Sequence, residues 1–153
     1  AMSSTSDSTT TPDPAFEAAN IFGTGEPNTG FAQYFTGPSF LRAIIDDPEC
    51  AVGVHNVTFA PGCRNNWHIH HATSGGGQVL LCTAGSGWYQ EENSDPVPMR
   101  PGTAVFARAG VKHWHGAAAD SWFSHIALAV PGEGTSNEWL EPVDDDFYAS
   151  LGA

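Results

Sequence analysis

Between residues 52 and 130 the chain is cut by glycine or proline turns about every ten residues, and this rhythm limits what it can fold into. Pro61-Gly62, Gly85-Ser86-Gly87, Pro101-Gly102 and Ala109-Gly110 bound runs too short to be stable helices. Within one run His55, Val57 and Phe59 alternate with Asn56 and Thr58. A period of two sends successive side chains to opposite faces of a strand. Further strands are expected over Trp67–His71, Gln78–Ala84, Trp88–Glu92, Thr103–Ala107, His113–Ala117 and Trp122–Val130. The three consecutive glycines in Thr73–Gly77 predict a flexible loop, and Asn93–Pro98 predicts a turn. Many short strands with turn residues between them give an all-β sandwich or barrel.

The ends read differently. Residues 1–14 are rich in Ser, Thr, Asp and Pro with almost no apolar content, the composition of a disordered N-terminal tail. The remaining 15–153 make one domain, and 41% hydrophobic residues can fill one core. Phe31–Phe40 is aromatic-rich and leads into Leu41–Ile45. Near the C-terminus Asp144 is a good N-cap for one or two helical turns ending at Leu151, with Asp145 and Asp146 favourable at the positive helix end. Trp139 and Tyr148 are expected to pack this end onto the barrel.

Charge and cysteines exclude some classes. The formal net charge is −12 with only 5 Lys and Arg and no basic run, which argues against a nucleic-acid partner. No stretch approaches the roughly 18 apolar residues of a membrane span, so no membrane partner is expected. Cys50, Cys63 and Cys82 are odd in number and match no zinc spacing. With no signal-peptide pattern in the first residues, they suggest a reducing, cytoplasmic setting.

The histidines carry the chemistry. His68 and His70 are two apart, and so are His113 and His115. On a strand each pair presents two imidazoles to one side, and imidazole is the commonest metal ligand near neutral pH. Two such strands facing each other across a narrow barrel make a metal cage. His125 shares a face with Phe123, Ala127 and Ala129, whose small alanines leave room for a ligand, and His55 points inward with Val57.

The spacing resembles that of the cupin superfamily. Gly62 is followed by five residues, His68-Ile69-His70, a loop, Gln78, six residues and Gly85; Gly102 is followed by five residues, Arg108-Ala109-Gly110, two residues and His113. Two departures stand out: the His71–Gly77 loop is longer than the motif's, and Arg108 replaces a proline. Thr83-Ala84-Gly85-Ser86-Gly87-Trp88 and Lys112-His113-Trp114-His115-Gly116-Ala117-Ala118 resemble small bacterial cupins that include manganese-dependent hydroxynitrile lyases, and cupins related to carboxymuconolactone decarboxylases. The resemblance implies a double-stranded β-helix (jelly-roll) barrel with a short C-terminal helical segment. It also implies one divalent metal per chain, Mn²⁺ favoured over Fe²⁺, Ni²⁺ or Zn²⁺, on His68, His70, Gln78 and His113.

That ligand set is neutral, so a divalent ion keeps its full charge and stabilises developing oxyanions. The expected function is lyase chemistry on a small oxygenated substrate, with His125 or His115 moving the proton and His55 as a further catalytic candidate. Two alternatives are an Fe(II)- and O₂-dependent dioxygenase and a non-catalytic small-molecule-binding cupin. A homodimer or higher homo-oligomer is expected by resemblance.

Overall fold

The computed structural model describes residues 11–152. In chain order its strands begin with β1 (Glu26–Pro27), β2 (Phe35–Thr36), β3 (Ser39–Ile45), β4 (Gly53–Phe59) and β5 (Arg64–Asn65). Next come β6 (His68–His71), β7 (Ser74–Gly75), β8 (Gln78–Gly85), β9 (Gly87–Glu91) and β10 (Val97–Met99). The last are β11 (Ala104–Ala107), β12 (His113–Ala117), β13 (Phe123–Ala129), β14 (Gly132–Glu133) and β15 (Ser136–Trp139). Two short helices, α1 (Pro14–Ala19) and α2 (Asp145–Ser150), stand near the two ends. No helix among the described residues is long and apolar enough to cross a membrane.

Two sheets face each other as a jelly-roll barrel. One has the order β1-β3-β4-β13-β8-β11, and the other runs β10-β9-β12-β5-β2 with β6 also paired to β12 and β15 paired to β6. Between them lies a core of Phe59, Leu80, Cys82, Tyr89, Met99 and Phe123. The alternation read in β4 is the reason: Val57 and Phe59 enter the core, and Leu80 and Cys82 do the same from β8. Burial pushes the Cys82 thiol up to about 11, so it behaves as a small apolar filler.

Gly85 closes β8 where Phe123 of β13 crosses, with φ of 71°. A Cβ there would lie 1.8 Å from the carbonyl oxygen of Trp122, so glycine is required. The C-terminal helix is capped as expected: the Phe147 amide donates to Asp144 at 2.9 Å. Tyr148 donates to the Ala117 carbonyl at 2.6 Å, and Arg64 stacks over its ring at 4.1 Å while pairing with Asp145.

Four features depart from the expectations. Order reaches into the proposed 1–14 tail, because the Asp13 side chain accepts from the Phe16 amide and Pro14 opens α1; residues 1–10 lie outside the described ones. The Thr73–Gly77 loop contains β7, which pairs with β14 through Gly75 opposite Gly132. The Asn93–Pro98 turn gives way early, and Val97 and Pro98 pair with β9. Trp139 belongs to a strand, β15, rather than to a packing tail, and it stacks on Tyr34 at 4.6 Å.

The outward-facing residues of β4 are also buried. Asn56, Thr58 and Ser124 are fully enclosed, because the segment after α1 lies over them. Asn56 donates to Asn20 at 3.0 Å and to the Gly23 carbonyl at 2.7 Å, and Asn20 donates to Thr58 at 3.2 Å. The Ser124 hydroxyl donates to Asn56 at 3.0 Å. Beside this polar seam Phe16 and Phe40 pack on Trp122.

Candidate metal centre

The register of β6, β12 and β8 builds the site. His68 lies directly opposite His113 in the β6–β12 ladder. Because i and i+2 share a face, His70 joins them, and a ring nitrogen of each of His68, His70 and His113 lies within 4.8 Å of the other two. Gln78 opens β8 alongside, its Oε1 3.3 Å from His70 Nε2. These are the four residues that the sequence motifs single out.

Each imidazole is oriented from behind. His68 Nδ1 donates to the Asn66 carbonyl at 2.8 Å, and His113 Nδ1 donates to the Val111 carbonyl at 2.9 Å. His70 Nδ1 donates to Asn137 Oδ1 at 2.8 Å. With Nδ1 carrying the proton, Nε2 is left as a lone pair aimed into the cage. Buried His113 Nε2 has no hydrogen-bond partner among the described residues. A buried acceptor left this way is costly unless something with positive charge meets it. Three neutral imidazoles and an amide oxygen are a donor set that suits a divalent ion. Burial, aided by the neighbouring rings, holds His68 well below the usual histidine range and brings His113 down to about 4, so both are neutral ligands at neutral pH. His68, His70 and His113 can therefore hold a metal ion.

Beside the cage lies a cavity of about 270 Å³, lined by His68, His70 and Gln78 together with His55, His115 and His125. A more polar cavity of about 460 Å³ shares His70, Gln78 and Asn137 with it. At the first cavity Phe31, Phe35 and Trp139 form an aromatic wall, with Phe31 47% exposed and Trp139 4.7 Å from the His68 ring.

His115 and His125 form one unit. His125 Nε2 is 3.0 Å from His115 Nδ1, and Asn65 Nδ2 is 3.1 Å from His115 Nε2. The Asn65 oxygen accepts from the His115 backbone amide at 3.0 Å, which turns its NH₂ toward the ring. His115 Nε2 must then accept and Nδ1 must donate, so His125 accepts at Nε2 and carries its own proton on Nδ1. That Nδ1 is buried with no hydrogen-bond partner among the described residues. Burial lowers His125 to about 3 and holds His115 well below the usual range. His71 faces the other way and meets Glu138 at 2.8 Å on the surface.

Sequence reasoning missed Asn65 and Asn137. Asn65 stands three residues before His68 on a two-residue strand, and the polar run Ser136-Asn137-Glu138 carries no alternation that marks a strand.

Known proteins share this chain's sequence and fold. The chain is 38% identical over 120 residues to the (R)-mandelonitrile lyase of Granulicella tundricola, covering 78% of this chain and 88% of that protein. It is similar to a cupin-like protein of Thermotoga maritima, with 32% identity, a TM-score of 0.74, and 86% of this chain and 96% of that chain covered. A cupin 2 barrel domain protein of Rhodopseudomonas palustris shares the fold at 15% identity, with a TM-score of 0.62 over 82% of this chain and 81% of that one. No family model matches the chain. Motif spacing, jelly-roll topology and these relatives together place the chain in the cupin family, among proteins that include a hydroxynitrile lyase.

Proposed function

We propose that this cupin is a metal-dependent lyase that cleaves, or in reverse forms, the C–C bond next to a hydroxyl or carbonyl carbon in a small, partly apolar substrate. The observation that carries the reading is one cavity lined both by His68, His70 and Gln78 and by the His115–His125 pair. A divalent ion, Mn²⁺ favoured, would be held by His68, His70, Gln78 and His113 and would supply Lewis-acid polarisation of the substrate oxygen.

The chain's own residues supply the rest. Phe31, Phe35 and Trp139 would receive the apolar part of the substrate, and an aryl group suits such a wall. Asn65 holds His115, and through it His125, in one tautomer. Both rings are neutral; their lone pairs already accept from Asn65 and from His115, which leaves His125 Nδ1–H as the unpartnered donor, and a proton taken up during the reaction would displace one of those two bonds. His55 lines the same cavity and offers a third imidazole for proton transfer. The relative's name supports cyanohydrin cleavage as the first reaction to test.

The test pairs metal analysis with turnover. Purified protein is expected to contain or take up about one divalent ion per chain and to release benzaldehyde from mandelonitrile; H68A/H113A is expected to lose both. Failure of the wild type to take up Mn²⁺, Fe²⁺, Ni²⁺ or Zn²⁺ would sink the reading. Metal uptake with no cleavage of any cyanohydrin would leave the metal centre and remove the lyase.

A further inference from the structure

The three imidazoles of the cage are not anchored alike. His68 and His113 each donate Nδ1–H to a backbone carbonyl two residues earlier, at Asn66 and Val111. Those acceptors are part of the chain and come with the fold. His70 has a side-chain acceptor instead, Asn137 Oδ1 at 2.8 Å, delivered by β15. The two residues are direct partners in the β6–β15 ladder. Asn137 is exposed and packs in no core cluster, so its place opposite His70 is not explained by burial. On its other flank it borders both cavities.

From this geometry we infer that Asn137 is a positioning residue for His70, setting how firmly the third imidazole of the cage is held. The inference rests on the metal-centre reading above. Without the Oδ1 acceptor the His70 ring can turn about its side-chain torsions and exchange tautomers. Either change removes the Nε2 lone pair from its place 3.3 Å from Gln78 Oε1. A ligand that must be ordered as the ion arrives binds it more weakly. The neighbouring residue gives an internal control: Glu138, on the same strand but the opposite face, pairs outward with His71.

The experiment is Mn²⁺ and Co²⁺ binding by chelator competition, with the Co²⁺ visible spectrum recorded, on wild type, N137A, N137D and E138A. N137A is expected to bind each ion about tenfold more weakly and to alter the Co²⁺ bands. N137D keeps an oxygen acceptor at the same place and is expected to restore tight binding and the wild-type spectrum. E138A is expected to bind like wild type. Wild-type affinity in N137A overturns the inference, and so does an equal loss in N137A and E138A, which would make the effect one of strand docking. A wild type that takes up no ion at all overturns the metal-centre reading itself, an outcome distinct from both.

Discussion

His125 gives a sharp test because it is completely enclosed, between Phe59 and Phe123 with ring centroids at 5.4 Å from each, and its Nε2 meets His115 Nδ1 at 3.0 Å. Its pKa falls from 6.5 to about 3, first because burial penalises the charged ring. A histidine depressed in this way binds its proton in the unfolded chain and not in the folded one. Its contribution to stability is therefore complete above about pH 6.5 and is lost as pH falls from there toward about 3. At pH 5 the unfolded ring lies about 1.5 units below its own pKa, while the folded ring is still neutral. At about 1.4 kcal/mol per unit, acidification from pH 8 to pH 5 costs about 2 kcal/mol through this residue alone. Gln in its place does not titrate and can still accept from His115 Nδ1. Urea unfolding at pH 8, 7, 6 and 5, with chelator present, is expected to show the wild type losing about 2 kcal/mol more than H125Q over that range. The comparison concerns slopes, so any constant destabilisation of the variant cancels. Equal slopes would mean that the folded ring accepts its proton freely, and would refute the enclosed, tautomer-locked pair.

Two other substitutions test the architecture. G85A must push its new carbon against the Trp122 carbonyl at a positive φ; it is expected to lower stability by about 4 kcal/mol in chemical denaturation, and a near-neutral result would refute the strand crossing drawn here. N65A removes both the acceptor of the His115 amide and the donor to its ring; it is expected to cost about 2 kcal/mol and to release the His115 tautomer, visible as new imidazole nitrogen shifts by NMR.

What could be read in advance, and what could not, follows from the range of the interactions. The His-x-His pairs were legible because a strand's period of two is local, and Gly85 and Gly110 fixed the registers around Gln78 and His113. The Asp144 cap was legible because a side chain and an amide three residues on settle it between themselves. Asn65, Asn137 and β15 were not legible, since each matters only through a strand distant in sequence: Asn137 is 67 residues from His70. The second strand edge in Thr73–Gly77 was hidden for the opposite reason. Its glycines read as looseness, yet at Gly75 a side chain would strike the Pro131 carbonyl at 2.6 Å, so the absence of a Cβ is what lets β14 come close.

The polar seam under the N-terminal segment has a consequence for how the barrel tolerates opening. Most covers over a sheet are oily, and lifting them leaves a sticky face. Here Asn56 and Thr58 would exchange Asn20 and the Gly23 carbonyl for water at a net cost of about 1 kcal/mol per bond. Apolar resistance comes from Phe16, which is buried in a cluster with Ala60, Ala84 and Trp122. Residues 14–24 can thus peel away as a unit well below the free energy of global unfolding, exchanging their amides with solvent early. The surface they uncover is wettable along Asn56 and Thr58 and apolar only at Ala60, Ala84 and Trp122, where Phe16 had packed.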